Sequence, residues 1–143
     1  MTVSQDYETI SAEDFGANLR GIGINLVVTD VRARADMLAE VFGMGAHRVS
    51  SDFAIMTYGD QVFQLHSDGT YSANPLLNIL PENPPRGAGV ELRLYDTDPD
   101  AAVTKAEARG LMILQEPTDK PHGLREAYIL DEDGYAWVPS RPK

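Results

Sequence analysis

The chain has 143 residues, 43% of them hydrophobic and 24% charged, values that suit one folded domain and exclude wholesale disorder. Twelve Lys and Arg against 22 Asp and Glu give a net charge of −10, which argues against nucleic acid and against an anionic membrane surface as partners. With no cysteine there is no disulfide, no thiolate nucleophile and no Cys-based zinc site.

The opening stretch, MTVSQDYETI, has neither the basic nor the apolar region of an export signal. No apolar run approaches the roughly 18 residues that span a bilayer, so a cytoplasmic location is expected. Residues 1–20 read as an N-terminal extension, within which Ser11 caps a short helix begun by Ala12-Glu13-Asp14. Next comes GINLVVTD, Gly23 to Asp30, whose apolar residues alternate at period two and predict a strand. VRARADMLAEVFGM follows with Ala35, Leu38, Ala39 and Phe42 on one helical stripe. The β-rich tail AHRV, DFAIMTY, QVFQLH then turns at Gly59-Asp60.

After a connector rich in Pro, Asn and Gly, placed at residues 69–88, the same order returns. GVELRLYD, Gly89 to Asp96, matches GINLVVTD in glycine, leucine and aspartate. Its helix starts with Asp98 as cap before Pro99 and stops at Gly110. LMILQ, LREAYIL, the turn Asp131-Glu132-Asp133-Gly134 and YAWVPS complete the second copy. Both copies spell β-α-β-β-β, as a first module at 21–68 and a second at 89–140. Neither can bury its sheet alone, so the two pair with each other or with a partner chain. The fold class is α+β, with one domain over 21–140.

The duplicated pattern, the strand-plus-aspartate starts VVTD and LYD, and the close GLREAYILDEDGY resemble the vicinal oxygen chelate superfamily. That group includes glyoxalase I, bleomycin-binding resistance proteins, fosfomycin-modifying enzymes and extradiol dioxygenases. Glu132 stands where the closing turn commonly has proline. The resemblance implies a cupped mixed β-sheet with helices on its outer face. In metal-dependent members each module supplies two ligands, one from its first strand and one from its last. Carried over, those positions are Gly23, Gln64, Gly89 and Val138. Glycine and valine have no side-chain donor, and a lone amide is a poor ligand for a divalent ion. The expectation is therefore no cofactor and no family metal. A rebuilt site from His66, His122 and Glu126 is conceivable, but no spacing demands it.

Strand alternation sends Ile24, Leu26, Val28, Val90, Leu92 and Leu94 towards the helices and leaves Asn25, Val27, Glu91 and Arg93 for the cup. The hairpins add Val62, Gln64 and His66 in the first module and Ala136, Val138 and Ser140 in the second. By resemblance to the glyoxalase I pocket strand they also add Glu126 and Tyr128, with Asp52, Ala54 and Met56 as first-module equivalents. The expected ligand-binding set is thus Asp52, Met56, Gln64, His66, Glu91, Arg93, Glu126 and Tyr128. Trp137 is out of phase and is expected to pack beneath a helix.

Besides a structural or regulatory domain whose dimer face is the function, two functional readings stay open. One is a metal-independent small-molecule-binding protein of the glyoxalase/bleomycin-resistance type, holding a cationic or aromatic ligand in the cup and forming a homodimer. The other is a glyoxalase-like lyase, isomerase or dioxygenase, with a non-standard metal site or Glu126 as catalytic acid–base. The carboxylates and Arg93 could also simply pair with one another.

Overall fold

The computed structural model describes residues 6–71 and 75–143; Met1 to Gln5 of the extension and residues 72–74 of the connector lie outside the described residues. Two contact units emerge, Met1–Ala39 with Gly43–Leu77, and Glu40–Phe42 with Asn78–Lys143.

In the first unit, helix α1 (Ala12–Ala17) begins where the Ser11 hydroxyl accepts from Asp14 N at 3.0 Å, the cap expected from sequence. Its one buried residue, Phe15, meets Tyr7 and Phe53 edge-on. Strand β1 (Asn25–Val28) leads to α2 (Val31–Phe42), capped by the Asp30 carboxylate and closed by Gly43 in the left-handed region. Residues Val31, Arg34, Ala35, Leu38, Val41 and Phe42 form its buried stripe, at the i, i+3/i+4, i+7 spacing of an amphipathic helix. Three strands follow: β2 (Gly45–His47), β3 (Phe53–Tyr58) and β4 (Gln61–Ser67). The sheet order is β1-β4-β3-β2, with β1 parallel to β4 and the other pairs antiparallel.

The second unit repeats that order with β5 (Glu91–Tyr95), α3 (Pro99–Ala108), β6 (Met112–Asp119), β7 (Leu124–Leu130) and β8 (Ala136–Pro142). Its sheet runs β5-β8-β7-β6, again with one parallel pair. The Asp98 carboxylate caps α3 by accepting from Asp100 N and Ala101 N, with Pro99 just inside and Gly110 left-handed just beyond. Ala102, Val103 and Ala106 of α3 are buried where the helix packs on β6, β7 and β8. Arg125 of β7 makes a two-pronged contact with Asp100 of α3, at 2.8 and 2.9 Å. That contact fixes the odd-numbered β7 residues on the helix side and turns Glu126 and Tyr128 to the opposite face.

The acidic turn between β7 and β8 is built around a buried carboxylate. Asp131 Oδ1 accepts from Asp133 N and Tyr135 N, and Oδ2 accepts from Trp137 Nε1 at 2.9 Å. Trp137 is buried against Phe42, the end of α2 that belongs to this second unit, ring centroids 6.0 Å apart. The connector docks on the same turn, Arg86 N donating to Asp133 O at 2.8 Å. Gly134, at φ +85, lets Pro85 approach to where a Cβ would stand 2.3 Å from Pro85 Cα.

One expectation about strand ends needs correcting. Ile24 and Val90, expected to face the helices, are 42% and 52% exposed, because each precedes its strand and alternation has not begun there. Val27, expected on the cup face with Asn25, does lie there opposite His66, and it is buried.

Candidate functional site

Strand pairing places Glu91 opposite Ala136, Arg93 opposite Val138, and Glu126 opposite Ser140. Directly paired residues share a face, so Glu91, Arg93, Glu126, Tyr128 and Ser140 all lie on the side of the second sheet away from α3. There they form one connected network. The Arg93 guanidinium donates through Nη2 to Glu126 Oε2 and through Nη1 to Glu91 Oε2 at 3.1 Å. Tyr128 donates its hydroxyl to the other Glu91 oxygen at 2.5 Å. The ring of Tyr95 lies 5.8 Å from the guanidinium carbon, within cation–π range. His122 Nε2 stands 3.9 Å from Glu126 Oε1.

Exposure is graded across this network. Glu126 is 3% exposed and Ser140 is wholly buried, while the Arg93 side chain is 22% exposed and Glu91 and His122 are open to solvent. The Ser140 hydroxyl has no hydrogen-bond partner among the described residues. The hydrogen bond from Tyr128 holds the Glu91 carboxyl below its usual range, against a smaller opposing effect of burial, and Arg93 reinforces it. The same bond, with burial, pushes the Tyr128 phenol up. Burial alone would lower the Arg93 pKa, but its hydrogen bonds to Glu126 and Glu91 outweigh that and raise it, so the guanidinium stays charged. With two carboxylates and one guanidinium, the cluster carries one net negative charge.

The first-module residues are arranged differently. Gln64 Oε1 and His66 Nε2 share a 3.0 Å hydrogen bond, and His66 also meets the ring of Phe53. Burial lowers the His66 pKa, favouring the neutral ring. Asp52 accepts from the Ser67 hydroxyl at 2.9 Å, and its carbonyl accepts from Thr70, so it closes the end of the β3–β4 pair. Met56 is wholly buried.

Met56 and Asp52 do not join the face of Gln64 and His66. In the β3–β4 hairpin Gln64 pairs with Ile55 and His66 with Phe53, whereas Met56 pairs with Phe63. The reason is loop length. Two residues separate the Tyr58–Gln61 pair, but five separate the Leu130–Ala136 pair. An odd loop keeps even with even across the strands; an even loop couples even with odd. Counting transferred from the second hairpin therefore lands one residue off in the first. The parallel pairs are offset as well, since Gln64 faces Asn25 but Val138 faces Arg93, two residues further along.

The positions that hold metal in the resembling family do not fit one here. Gly23, Gly89 and Val138 offer no side-chain donor, and Gln64 is engaged by His66. Among the described residues no three His, Asp or Glu side chains converge in a way that could hold an ion. A groove of about 290 Å³ lies in the first unit between residues 19–24 and β4, with Gly23 and Gln64 in its lining. It contains none of the charged network, and the linked acids and arginine, not this volume, identify the candidate site.

A four-stranded mixed sheet made by β-α-β-β-β, occurring twice in one chain, defines a two-module α+β protein. The chain belongs to the Glyoxalase/Bleomycin resistance protein/Dioxygenase superfamily, whose family model matches residues 23–138. Among solved structures, the hypothetical protein SA1046 from S. aureus is similar at TM-score 0.71 and 21% identity, over 90% of this chain and 98% of that one. A glyoxalase/bleomycin resistance protein/dioxygenase family enzyme from Burkholderia phytofirmans PsJN gives 0.70 and 18%, over 84% and 96%. TioX from Micromonospora sp. ML1 gives 0.61 and 22%, over 87% and 97%. These likenesses concern the fold alone. No curated protein matches the sequence. Among the described residues no helix is long and apolar enough to cross a membrane.

Proposed function

We propose that the protein binds a small organic cation without a metal, on the polar face of its second sheet. One observation carries the reading. Where the resembling family places a metal ligand, this chain has Val138, and Arg93, paired across from it, links two carboxylates on the same face. The cluster's net negative charge and the chain's −10 favour a positive ligand. Glu126 is paired across β7 and β8 with Ser140, whose buried hydroxyl has no partner among the described residues, and the Tyr128 ring on the same face suits an aromatic body. Alternation along β8 sends Ser140 to this face, although it is not among the eight residues of the expected ligand-binding set.

The test is a calorimetric titration in EDTA with 9-aminoacridine and benzamidine as probes. Saturable binding by wild type, weakened about 5- to 100-fold by Glu126→Gln, is expected, the range of one charged hydrogen bond. Equal affinity for the uncharged isosteres, or an unchanged affinity in the variant, would remove the cationic site.

A further inference from the structure

We propose that residues 6–18 form a displaceable strap that closes the cup of the first module. The strap is independent of whether the second sheet binds a cation. Strand pairing defines the face it crosses. His47 pairs with Ile55, Ile55 with Gln64 and Phe53 with His66, and Gln64 and His66 stand two apart on β4, so all share the cup side. The Tyr7 ring lies 5.5 Å from the His47 ring, and Phe15 of α1 lies 6.5 Å from Phe53, itself 5.2 Å from His66. Tyr7 and Phe15 meet each other at 6.0 Å, so the strap's two rings join the sheet's in one cluster. Residues 19–24 continue the strap and wall the groove of about 290 Å³ against β4, which is the part of this cup left open.

Two observations make the strap an element with a docked and a released state. Its hold is narrow. Helix α1 has six residues, fewer than the roughly 12–15 a helix needs to persist alone in water, and Phe15 is its one buried residue. The segment is therefore helical only while docked. Its second anchor is a reciprocal clamp, in which Arg48 N donates to Glu8 Oε1 at 3.0 Å and Arg48 Nε donates to the Glu8 carbonyl at 3.1 Å. The clamped Arg48 stands at φ +53, in the left-handed region that a residue with a side chain enters only at a cost, so undocking lets it relax. Release uncovers Phe53 and His66 and widens the groove along β4.

The chain has three histidines, and their ring protons report on the strap by NMR: His47 touches Tyr7, His66 touches Phe53, and His122 lies in the second unit. In the intact chain, Phe15→Asp should shift the His47 and His66 signals and leave His122 in place. Nile red, a neutral apolar dye, should then saturate at one molecule per chain and bind about tenfold or more tighter than to wild type, the lower value for baring a phenylalanine-sized surface. Glu8→Ala, at an exposed position outside the sheet, loosens the clamp and should tighten the dye by about threefold or more. That variant decides the matter if Phe15→Asp loses its folded amide spectrum. Amide shifts caused by the dye should fall on β3 and β4. Dye binding unchanged in both variants, His47 and His66 unmoved in a folded Phe15→Asp chain, or dye shifts confined to the second sheet would each overturn the proposal.

Discussion

Breaking the Arg93–Glu126 pair gives the sharpest energetic test of the second-sheet network. Removing one partner of a buried ion pair costs about 3–5 kcal/mol, because the other charge is left without compensation. Here Glu126→Gln leaves an arginine that is 22% exposed and still bound to Glu91 at 3.1 Å, so the cost falls to about 2–3 kcal/mol. For a chain of this size that is a fall in Tm of about 6–12 °C. Arg93→Met strands a buried carboxylate beside a second one, and about 3–5 kcal/mol is expected. The double variant removes both charges together and should cost about 1–2 kcal/mol, far less than the sum. Urea unfolding of the four proteins yields the coupling directly, expected at about 3 kcal/mol or more. Costs that add to within about 0.5 kcal/mol would refute the argument that these groups act as one unit.

Glycine substitutions test the turns. Gly134→Ala combines a left-handed backbone with a contact of 2.3 Å to Pro85 Cα and should destabilise by about 2–4 kcal/mol, while Gly59→Ala, left-handed but open, should cost about 1–2 kcal/mol. Equal losses in urea unfolding would contradict the close approach of the connector to the turn. Stability should also fall with acidity in two windows. His66 has a folded pKa lowered from the ordinary 6.5, so the unfolded chain takes up the proton first and stability drops as pH falls below 6.5. Glu91 and Asp100 are held below their ordinary 4.5 and 3.8 by Tyr128 and by Arg125 respectively, so what they contribute is present above those values and lost as pH falls through the lower folded ones. A urea midpoint that does not change between pH 7.5 and 5.5 would exclude the His66 contribution, and His66→Leu should flatten that window alone.

Much of the fold was legible because it rests on local signals. The alternation of GINLVVTD and GVELRLYD, the Asp98-Pro99 start and the Gly59-Asp60 turn specify their elements through short-range chemistry. Glu91, Arg93, Glu126 and Tyr128 could be brought to one face by counting in twos, since β5, β7 and β8 run unbroken there. Met56 and Asp52 could not, because the face depends on the parity of a loop, and the two hairpins differ in loop length. Asp131 was invisible for another reason. In sequence it is one of three acids in a turn, and only the folded chain brings Trp137 Nε1 and two backbone N–H groups onto it. Arg93 illustrates the same limit, as nothing local indicates that it joins carboxylates 2 and 33 residues away.

The most direct test of the central claim is the divalent-metal content of the untagged protein after equilibration with nickel, zinc, manganese and iron followed by gel filtration. Metal-independent binding predicts far less than one ion per chain, with 9-aminoacridine bound equally well before and after. One tightly held ion per chain, with probe binding lost when it is stripped, would contradict the account and move the chemistry to a metal centre.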